Sequence, residues 1–231
     1  MSLCKTNTIN TNDWRDWSVI VPKNTHIIGI GNVIFNFFPP DTISDVASGV
    51  LSVINVRDTV EIENITINCK NCRYGIHDDG SGYSIYDKSR HIYRNIIVNK
   101  ERGKGYPNGF GGGIGKDSEF IFENCIFNSY GIGLSFHNRN NSYGGSITFN
   151  DCVFKGSTYG LRFGSMSSFD DTKEYKINVF NSIISSKIGY IKEDGVSDRT
   201  NPFNLTLVKC NDCTIDSSAY DILQFEPTIY N

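Results

Sequence analysis

Apolar and polar residues alternate along short stretches of this chain, and the alternation slips by one residue at a recurring Asn or Asp. In residues 120–127, for example, apolar side chains fall two and four positions before Asn124 and one and three positions after it. Strict alternation is typical of a β-strand, so the slip indicates a tight bend between two strands. Asn tolerates the left-handed backbone conformation that such a bend requires.

The same pattern recurs seven times, at intervals of 27 to 32 residues. The bend position is occupied by Asn32, Asn64, Asn95, Asn124, Asp151, Asn181 and Asp212. Two positions before the bend, a second column is formed by Ile30, Ile62, Tyr93, Phe122, Phe149, Val179 and Cys210. Columns that keep their register through all the copies predict that equivalent side chains stack on one another in a single core.

A second recurring string follows each pair of strands and predicts a third strand. Its copies are Tyr74-Gly75-Ile76, Gly112-Gly113-Ile114, Tyr130-Gly131-Ile132, Tyr159-Gly160-Leu161, Ile188-Gly189-Tyr190 and Tyr220-Asp221-Ile222. Three strands in each repeat of about 30 residues, without helical periodicity, indicate a coil of parallel strands.

This pattern resembles the right-handed parallel β-helix of the pectate lyase-like superfamily, in which an Asn ladder marks the second bend of each coil. The resemblance runs from Val19 to about Phe225, and residues 21–32 are similar to the entry turns of that group. It implies an all-β, single-stranded right-handed parallel β-helix with three strands per coil and about seven coils. It also implies a cleft beside the first strand of each coil, where enzymes of the superfamily keep their active sites.

We expect residues 1–231 to form a single β-helix domain. Within it, 1–17 would be a partial first coil, 18–225 the regular coils and 226–231 a C-terminal tail. No amphipathic helix is predicted to cover either end, so we expect a homo-oligomer, such as a trimer, or a part of a longer chain.

Composition narrows the choice of partner and compartment. The net charge is −3 and the basic residues are scattered, which argues against a nucleic-acid partner. No apolar run is long enough to span a bilayer, so no membrane insertion is predicted. No secretory signal is visible, yet the resemblance favours an extracellular location or a virion surface, as in a phage tail spike.

The long, variable segments that follow the Tyr-Gly strand gather on one side of the coil and mark a binding face. The outward positions on this strand are predicted to be His77, Gly115, Gly133 and Arg162, followed by Asp79, Asp117, Ser135 and Gly164, with His137 further on. A floor of glycines lets a flat ligand approach the backbone. Such a groove suits a sugar chain better than a small cofactor.

Five of these residues are candidates for catalysis: His77, Asp79, Asp117, His137 and Arg162. Asp79 and Asp117, on neighbouring coils, could lie about 5–9 Å apart, as glycosidase carboxylates do. They could equally hold a calcium ion through oxygen ligands. In a lyase, His77 or His137 would remove the proton beside a uronate carboxylate, which Arg162 would neutralise.

The candidate substrate-binding residues are Asp78, Gly115, Lys116, Gly133, Ser135, Asn138, Arg139 and Lys104. Structural interpretations stay open for several of them. Residues 78–82 form a good turn sequence, residues 137–141 a plain surface loop, and Arg162 could simply stack on an aromatic ring. His91, at a core position, is predicted to be a buried, hydrogen-bonded residue. No cofactor is expected, with calcium as the alternative.

The seven cysteines allow a zinc hypothesis that the repeat excludes. Cys69-x2-Cys72 and Cys210-x2-Cys213 resemble halves of a four-thiolate site, but they lie about 24 Å apart on stacked strands. Cys125, Cys152 and Cys213 are predicted to be small core residues, because they occupy an inward column. No disulfide framework is expected, and Cys69 with Cys72 is the pair to examine.

These observations lead to a polysaccharide-binding β-helix, with lyase or glycoside hydrolase activity if it is an enzyme. The Asn-Thr-Asp, Gly-His-Gly and Arg-Ile-Lys strings of polygalacturonases are missing, as is the Asp-His string of calcium-dependent pectate lyases. The resemblance therefore extends only to a carbohydrate-facing cleft. The alternatives are a non-catalytic receptor-binding or adhesion module and a structural module of a phage tail or cell-surface fibre.

Overall fold

The protein is an all-β parallel solenoid of about four turns with almost no helix. The computed structural model describes residues 18–79, 87–137, 144–164, 176–186, 189–194, 208–211, 214–215 and 229–230. Within these ranges every strand pairing is parallel, and the strands belong to two sheets, which we call sheet A and sheet B. The parallel β-helix predicted from the repeat is confirmed at this level.

Sheet A contains seven strands in chain order. They are β1 (Val19–Val21), β3 (Ser52–Val56), β5 (Tyr74–Asp79), β7 (Asn108–Gly113), β10 (Ile132–His137), β13 (Tyr159–Gly164) and β16 (Gly189–Asp194). Each pairs with the next, so every return of the chain to this sheet adds a parallel neighbour to the preceding strand.

Sheet B contains twelve strands. They are β2 (Thr25–Phe37), β4 (Val60–Cys69), β6 (Arg90–Lys100), β8 (Glu119–Glu123), β9 (Ile126–Ser129), β11 (Ser146–Asn150), β12 (Val153–Gly156), β14 (Lys176–Phe180), β15 (Ile183–Ser186), β17 (Val208–Asn211), β18 (Thr214–Ile215) and β19 (Ile229–Tyr230). One short helix, α1 (Asp45–Ser48), precedes β3. Strands β2, β4 and β6 each run through their bend without interruption, so both sides of these bends belong to one sheet. Seven coils of three strands each remain a prediction.

The predicted bends are confirmed at the five positions Asn64, Asn95, Asn124, Asp151 and Asn181. Each has a positive φ, between 47° and 59°, which is the left-handed conformation that Asn and Asp tolerate. The side-chain amide of Asn95 donates to Oδ1 of Asn64 over 2.8 Å, so neighbouring bends are also linked.

A second Asn ladder was not foreseen. Asn99 donates to Asn68, and Asn68 donates to Asn36, each over 3.0 Å. These residues lie four positions after the predicted bends Asn32, Asn64 and Asn95, so the sequence already carried the signal for a second column.

The first copy of the repeat departs from the prediction. Gly31, with φ 78°, has the positive φ expected of Asn32, and Ile30 is 90% exposed instead of buried. The register of β2 against β4 shifts between Ile28 and Val33, and Ile27 is the residue that pairs with Ile62. Extra residues in the first bend therefore move the apolar column away from Ile30.

The third-strand alignment is also corrected by the register. Asn108, Ile132 and Tyr159 occupy the place of Tyr74 on successive strands. The strings 112–114 and 130–132 are therefore not equivalent to residues 74–76. Their places are taken by 108–110 and 132–134.

Aromatic rings stack on their equivalents in the core. Tyr93 stacks on Phe122 with ring centroids 5.0 Å apart, and Phe122 on Phe149 at 4.9 Å. Cys125 and Cys152 are buried in the column where they were predicted, whereas Cys213 lies outside the described residues. The predicted partial coil, 1–17, and most of the tail, 226–231, also fall outside them.

Replacing Asn95 with Ala is expected to lower the free energy of unfolding by about 1–2 kcal/mol, because Ala disfavours a positive φ and cannot bond to Asn64. Asn95→Gly tolerates the backbone conformation and loses only the amide bond, so it should cost less. Urea unfolding of both variants measures the difference. Equal losses would contradict a conformational role for the bend.

Candidate functional site

The outer face of sheet A carries two rows of residues in register. One row is His77, Gly111, Ser135 and Arg162, and the other is Asp79, Gly113, His137 and Gly164. The residues between them along the strands, such as Phe136 and Phe163, are buried in the core. Successive side chains of a strand point to opposite faces, so these rows belong to the outer surface.

Three predicted catalytic residues meet on this face. Oδ2 of Asp79 lies 3.3 Å from Nε2 of His137 and 3.7 Å from Nε2 of His77. The three side chains are only 20–24% exposed. The structure therefore brings His137 to His77 and Asp79, which lie two positions apart on β5, and we call these three residues the His-Asp-His group.

Gly113 makes this meeting possible. It lies on β7 between Asp79 on β5 and His137 on β10, so the two side chains start two strand spacings, about 9.6 Å, apart. Because Gly113 has no side chain, nothing from β7 stands between the carboxylate and the imidazole. The predicted glycine floor is thus formed at this point, although by a different glycine.

His77 is enclosed by protein. Its ring stacks on Tyr74 with centroids 4.9 Å apart, and its Nδ1 lies 3.3 Å from Oδ1 of Asn55. Nε2 is buried and has no hydrogen-bond partner among the described residues, with Asp79 just beyond bonding distance. Since both ring nitrogens face protein groups, His77 is placed to position Asp79. Burial raises the pKa of Tyr74, which keeps its hydroxyl protonated.

Arg162 lies on β13, next to the strand of His137. Arg162 pairs with Ser135, and the residue that pairs with His137 is Gly164, two positions further along β13. One strand spacing and two residues along the strand separate the backbones of Arg162 and His137 by about 8 Å. An Arg side chain can reach across that distance, so a cation and a base can act on one ligand.

A buried polar network lies behind this face. Asp78 is fully buried, and its Oδ2 accepts a hydrogen bond of 2.5 Å from the hydroxyl of Tyr93. The same oxygen lies 2.8 Å from Nδ1 of His91. Burial and the nearby Asp78 carboxylate raise the pKa of Tyr93 well above its usual range. Asp78 is therefore a core residue, and its predicted role in contacting substrate is wrong.

His91 continues the network away from Asp78. Its Nε2 lies 2.8 Å from Oγ of Ser89, and the ring stacks on Phe120 with centroids 4.3 Å apart. Ser89 donates in turn to Ser118 over 3.3 Å. The prediction of a buried, hydrogen-bonded His91 is confirmed.

Other predicted site residues lie elsewhere. Asp117 has φ 53° in the turn before β8, and Gly113, not Asp117, lies opposite Asp79. The predicted placement of Asp117 beside Asp79 is therefore wrong. Gly115 is buried before that turn, and the backbone N–H of Lys116 donates to Asp87 over 3.2 Å.

The remaining predicted binding residues that the structure describes contact other protein groups. A Cβ on Gly133 would lie 2.7 Å from the carbonyl oxygen of Gly160, so Gly133 packs against backbone instead of facing a ligand. Ser135, in the same row as His77, accepts a hydrogen bond of 2.8 Å from the side-chain amide of Asn108. Nζ of Lys104 donates to the carbonyl of Ile43 over 2.8 Å. Asn138 and Arg139 lie outside the described residues.

A charged cluster on sheet B was missed. The potential ligand atoms of His26, Glu61 and Glu63 lie within 4.8 Å of one another, a set that could hold a metal ion. Arg94 already donates to both carboxylates, and its Nε binds Glu123 over 2.6 Å. The His26 hydrogen bond, then Arg94, lower the pKa of Glu63. The sequence signal for the cluster was the Glu-x-Glu alternation of β4.

Among the residues that the structure describes, no helix is long and apolar enough to cross a membrane. No protein-family model matches this chain, and no curated protein or solved structure matches it either. Function must therefore be inferred from the geometry of the chain itself.

Proposed function

We propose that this protein binds a polysaccharide on the outer face of sheet A and cleaves it by proton transfer at His137. The observation that carries the proposal is the position of the Asp79 carboxylate between two imidazoles. Carboxylate and imidazole in contact form the pair that enzymes use to fix a His tautomer for acid–base chemistry.

His137 is the base in this proposal. When Nε2–H of His137 faces Asp79, the other ring nitrogen, Nδ1, carries the lone pair and can accept a proton. Asp79 holds the ring in that orientation and stabilises the imidazolium that forms, as the carboxylate of a catalytic triad does. His77, enclosed by Tyr74 and Asn55, keeps Asp79 in place.

An acidic sugar suits this arrangement. The guanidinium of Arg162 can bind the carboxylate of a uronate, which makes the neighbouring C–H more acidic. Nδ1 of His137 removes that proton, a carbon–carbon double bond forms, and the bond to the leaving sugar oxygen breaks. The imidazolium then returns its proton to the leaving oxygen, so the step needs no other reactant. This is the elimination reaction of a polysaccharide lyase.

The wider assignment is part of the same proposal. Parallel coils with Asn at the bends and a polar face on sheet A support membership of the pectate lyase-like superfamily of right-handed β-helices. We infer three strands per coil, about seven coils, and an extracellular or virion-surface fibre that assembles as a homo-oligomer or as part of a longer chain.

A screen of acidic and neutral polysaccharides tests this function. Cleavage by elimination should produce the absorbance of an unsaturated uronate, whereas hydrolysis produces reducing ends without it. Binding should be measured in parallel by calorimetry. Affinity without any product would exclude catalysis and favour the adhesion module instead.

Replacing Arg162 with Gln is expected to weaken binding of the acidic polysaccharide at least about tenfold, because a charge-assisted pair is lost. Arg90→Gln is the matched control, since Arg90 lies on sheet B and pairs with Glu119. Equal affinities of the Arg162 variant and the unmodified protein would contradict the proposed ligand contact.

A further inference from the structure

A pair of cysteines lies at a corner of the solenoid, away from the His-Asp-His group. Cys69 ends β4, and Cys72 follows after a turn in which Asn71 has φ 54°. Both are free thiols with no exposed surface. They stand at the two ends of this turn, and a hydrogen bond with the other thiol shifts the pKa of each.

A buried lysine faces this pair. Nζ of Lys100 lies 3.2 Å from Sγ of Cys72 and 2.7 Å from the Cys72 carbonyl oxygen, and Lys100 is only 4% exposed. A buried ammonium group is costly unless an opposite charge compensates it. The other titratable groups that interact with the thiols are Glu101, with Cys69, and Tyr130, with Cys72. Among the described residues, Nζ contacts only the carbonyl oxygen and the sulfur of Cys72, and of these two only the sulfur can carry a negative charge.

The two sulfur atoms differ in acidity. The hydrogen bond from the Cys69 thiol, together with Lys100, lowers the pKa of Cys72 to about 7 despite burial. The bond to Cys72 and burial raise the pKa of Cys69 well above its usual range. Cys72 is thus the nucleophile, and Cys69 keeps its proton until it reacts.

A second pair of buried cysteines shows what the lysine adds. Cys125 and Cys152 are also buried, and they precede residues that pair in register, Ile126 on β9 and Val153 on β12. Their thiols donate to carbonyl oxygens, Cys125 to Tyr93 over 3.4 Å and Cys152 to Phe122 over 3.6 Å. Burial raises the pKa of Cys152. Both thiols are core residues without a lysine partner in these contacts, which makes the pair an internal reference.

We propose that Cys69 and Cys72 form a redox-active dithiol, in which the Cys72 thiolate, held by Lys100, reacts with a peroxide and Cys69 then closes a disulfide. The thiolate attacks one oxygen of hydrogen peroxide. The O–O bond breaks, and one proton is taken up, giving a sulfenic acid and water. The Cys69 sulfur then attacks Cys72, displacing a second water, so two thiols are oxidised and one peroxide is reduced to two waters.

The loop of residues 103–105 packs closely over the turn that carries Cys69 and Cys72. A Cβ on Gly105 would lie 2.4 Å from the Cys72 carbonyl oxygen, so residues 103–105 close tightly over the corner. The hydroxyl of Tyr130 donates to the carbonyl of Gly103 over 3.2 Å and holds this loop in place. This packing excludes a peptide or glutathione disulfide, so the oxidant that we name is hydrogen peroxide, which is close to water in size.

The full chain should be treated with a small molar excess of hydrogen peroxide, alkylated after unfolding, and analysed by peptide mass spectrometry. We expect Cys69 and Cys72 to be recovered as a disulfide, 2 Da lighter than the dithiol, and Cys125 and Cys152 as alkylated thiols. The rate should rise about tenfold between pH 6 and pH 8, following the thiolate fraction of Cys72. Equal oxidation of both pairs, or a rate independent of pH, would overturn the proposal.

Lys100→Met tests the role of the ammonium group, because Met keeps an unbranched chain without the charge. At pH 7 its rate of disulfide formation should fall at least about tenfold, since the thiolate is no longer paired. Circular dichroism checks that the variant folds, and an unchanged rate in a folded variant would refute the role of Lys100. If the variant does not fold, the pH profile of the unmodified chain, with its internal reference pair, decides the question.

Discussion

Replacing His137 with Ala is expected to lower cleavage of an acidic polysaccharide by about 10²- to 10⁴-fold, the usual contribution of a general base. The loss should appear in kcat, while binding falls little, because Arg162 and the rest of the outer face still contact the sugar. Turnover of the variant and of the unmodified protein is measured by the absorbance of the unsaturated product.

His26→Ala is the matched control, because His26 is a half-exposed imidazole on sheet B that also contacts carboxylates. It should leave turnover unchanged. His77→Ala should give an intermediate loss, since His77 acts through Asp79 and does not reach the substrate. Full activity of His137→Ala would refute its assignment as the base, and equal losses in all three variants would indicate a general structural effect.

Replacing Asp78 with Ala is expected to lower the free energy of unfolding by about 3–5 kcal/mol. The variant would leave the Tyr93 hydroxyl and the His91 imidazole in the core without the carboxylate that both contact. Since a domain is stable by only about 5–15 kcal/mol, this single change would bring it close to unfolding. Urea unfolding followed by circular dichroism measures the loss.

Two control variants distinguish the loss of these buried hydrogen bonds from the removal of a carboxylate in general. Tyr93→Phe removes one hydrogen bond to a charged acceptor and should cost about 1.5–3 kcal/mol. Asp87→Ala, at an exposed turn, should change stability by less than about 0.5 kcal/mol. A loss below about 1 kcal/mol in Asp78→Ala would mean that Asp78 is not a buried partner of these residues.

The bends were predictable because only a few residue types favour the backbone conformation that each bend requires. A positive φ restricts the choice to Gly, Asn and Asp, so Asn95 or Asn124 is readable from the chain alone. The predicted bend at Asn32 in the first copy of the repeat was wrong for the same reason. Gly31 also satisfies the backbone requirement, and the sequence could not tell which of two neighbouring residues would provide it.

How much of the site could be predicted depended on the register of the glycine-rich residues 109–113 against the neighbouring strands. His77 and Asp79 lie two residues apart on one strand, so their shared face followed from alternation. Residues 109–113 contain several glycines and few apolar markers, and they fit more than one register. The predicted register placed Asp117 beside Asp79, whereas hydrogen bonding between the strands placed Gly113 there and brought His137 within reach.

The sequence by itself determined the coil, because a repeated alternation with a slip at Asn constrains the backbone wherever it occurs. It also determined which columns are apolar, since burial of those side chains drives the fold. Tertiary structure alone decided which polar groups meet: Asp79 with His137, Asp78 with Tyr93, and Cys72 with Lys100. Such contacts depend on strand register and on loop paths of many residues, and neither is encoded by any short stretch of the chain.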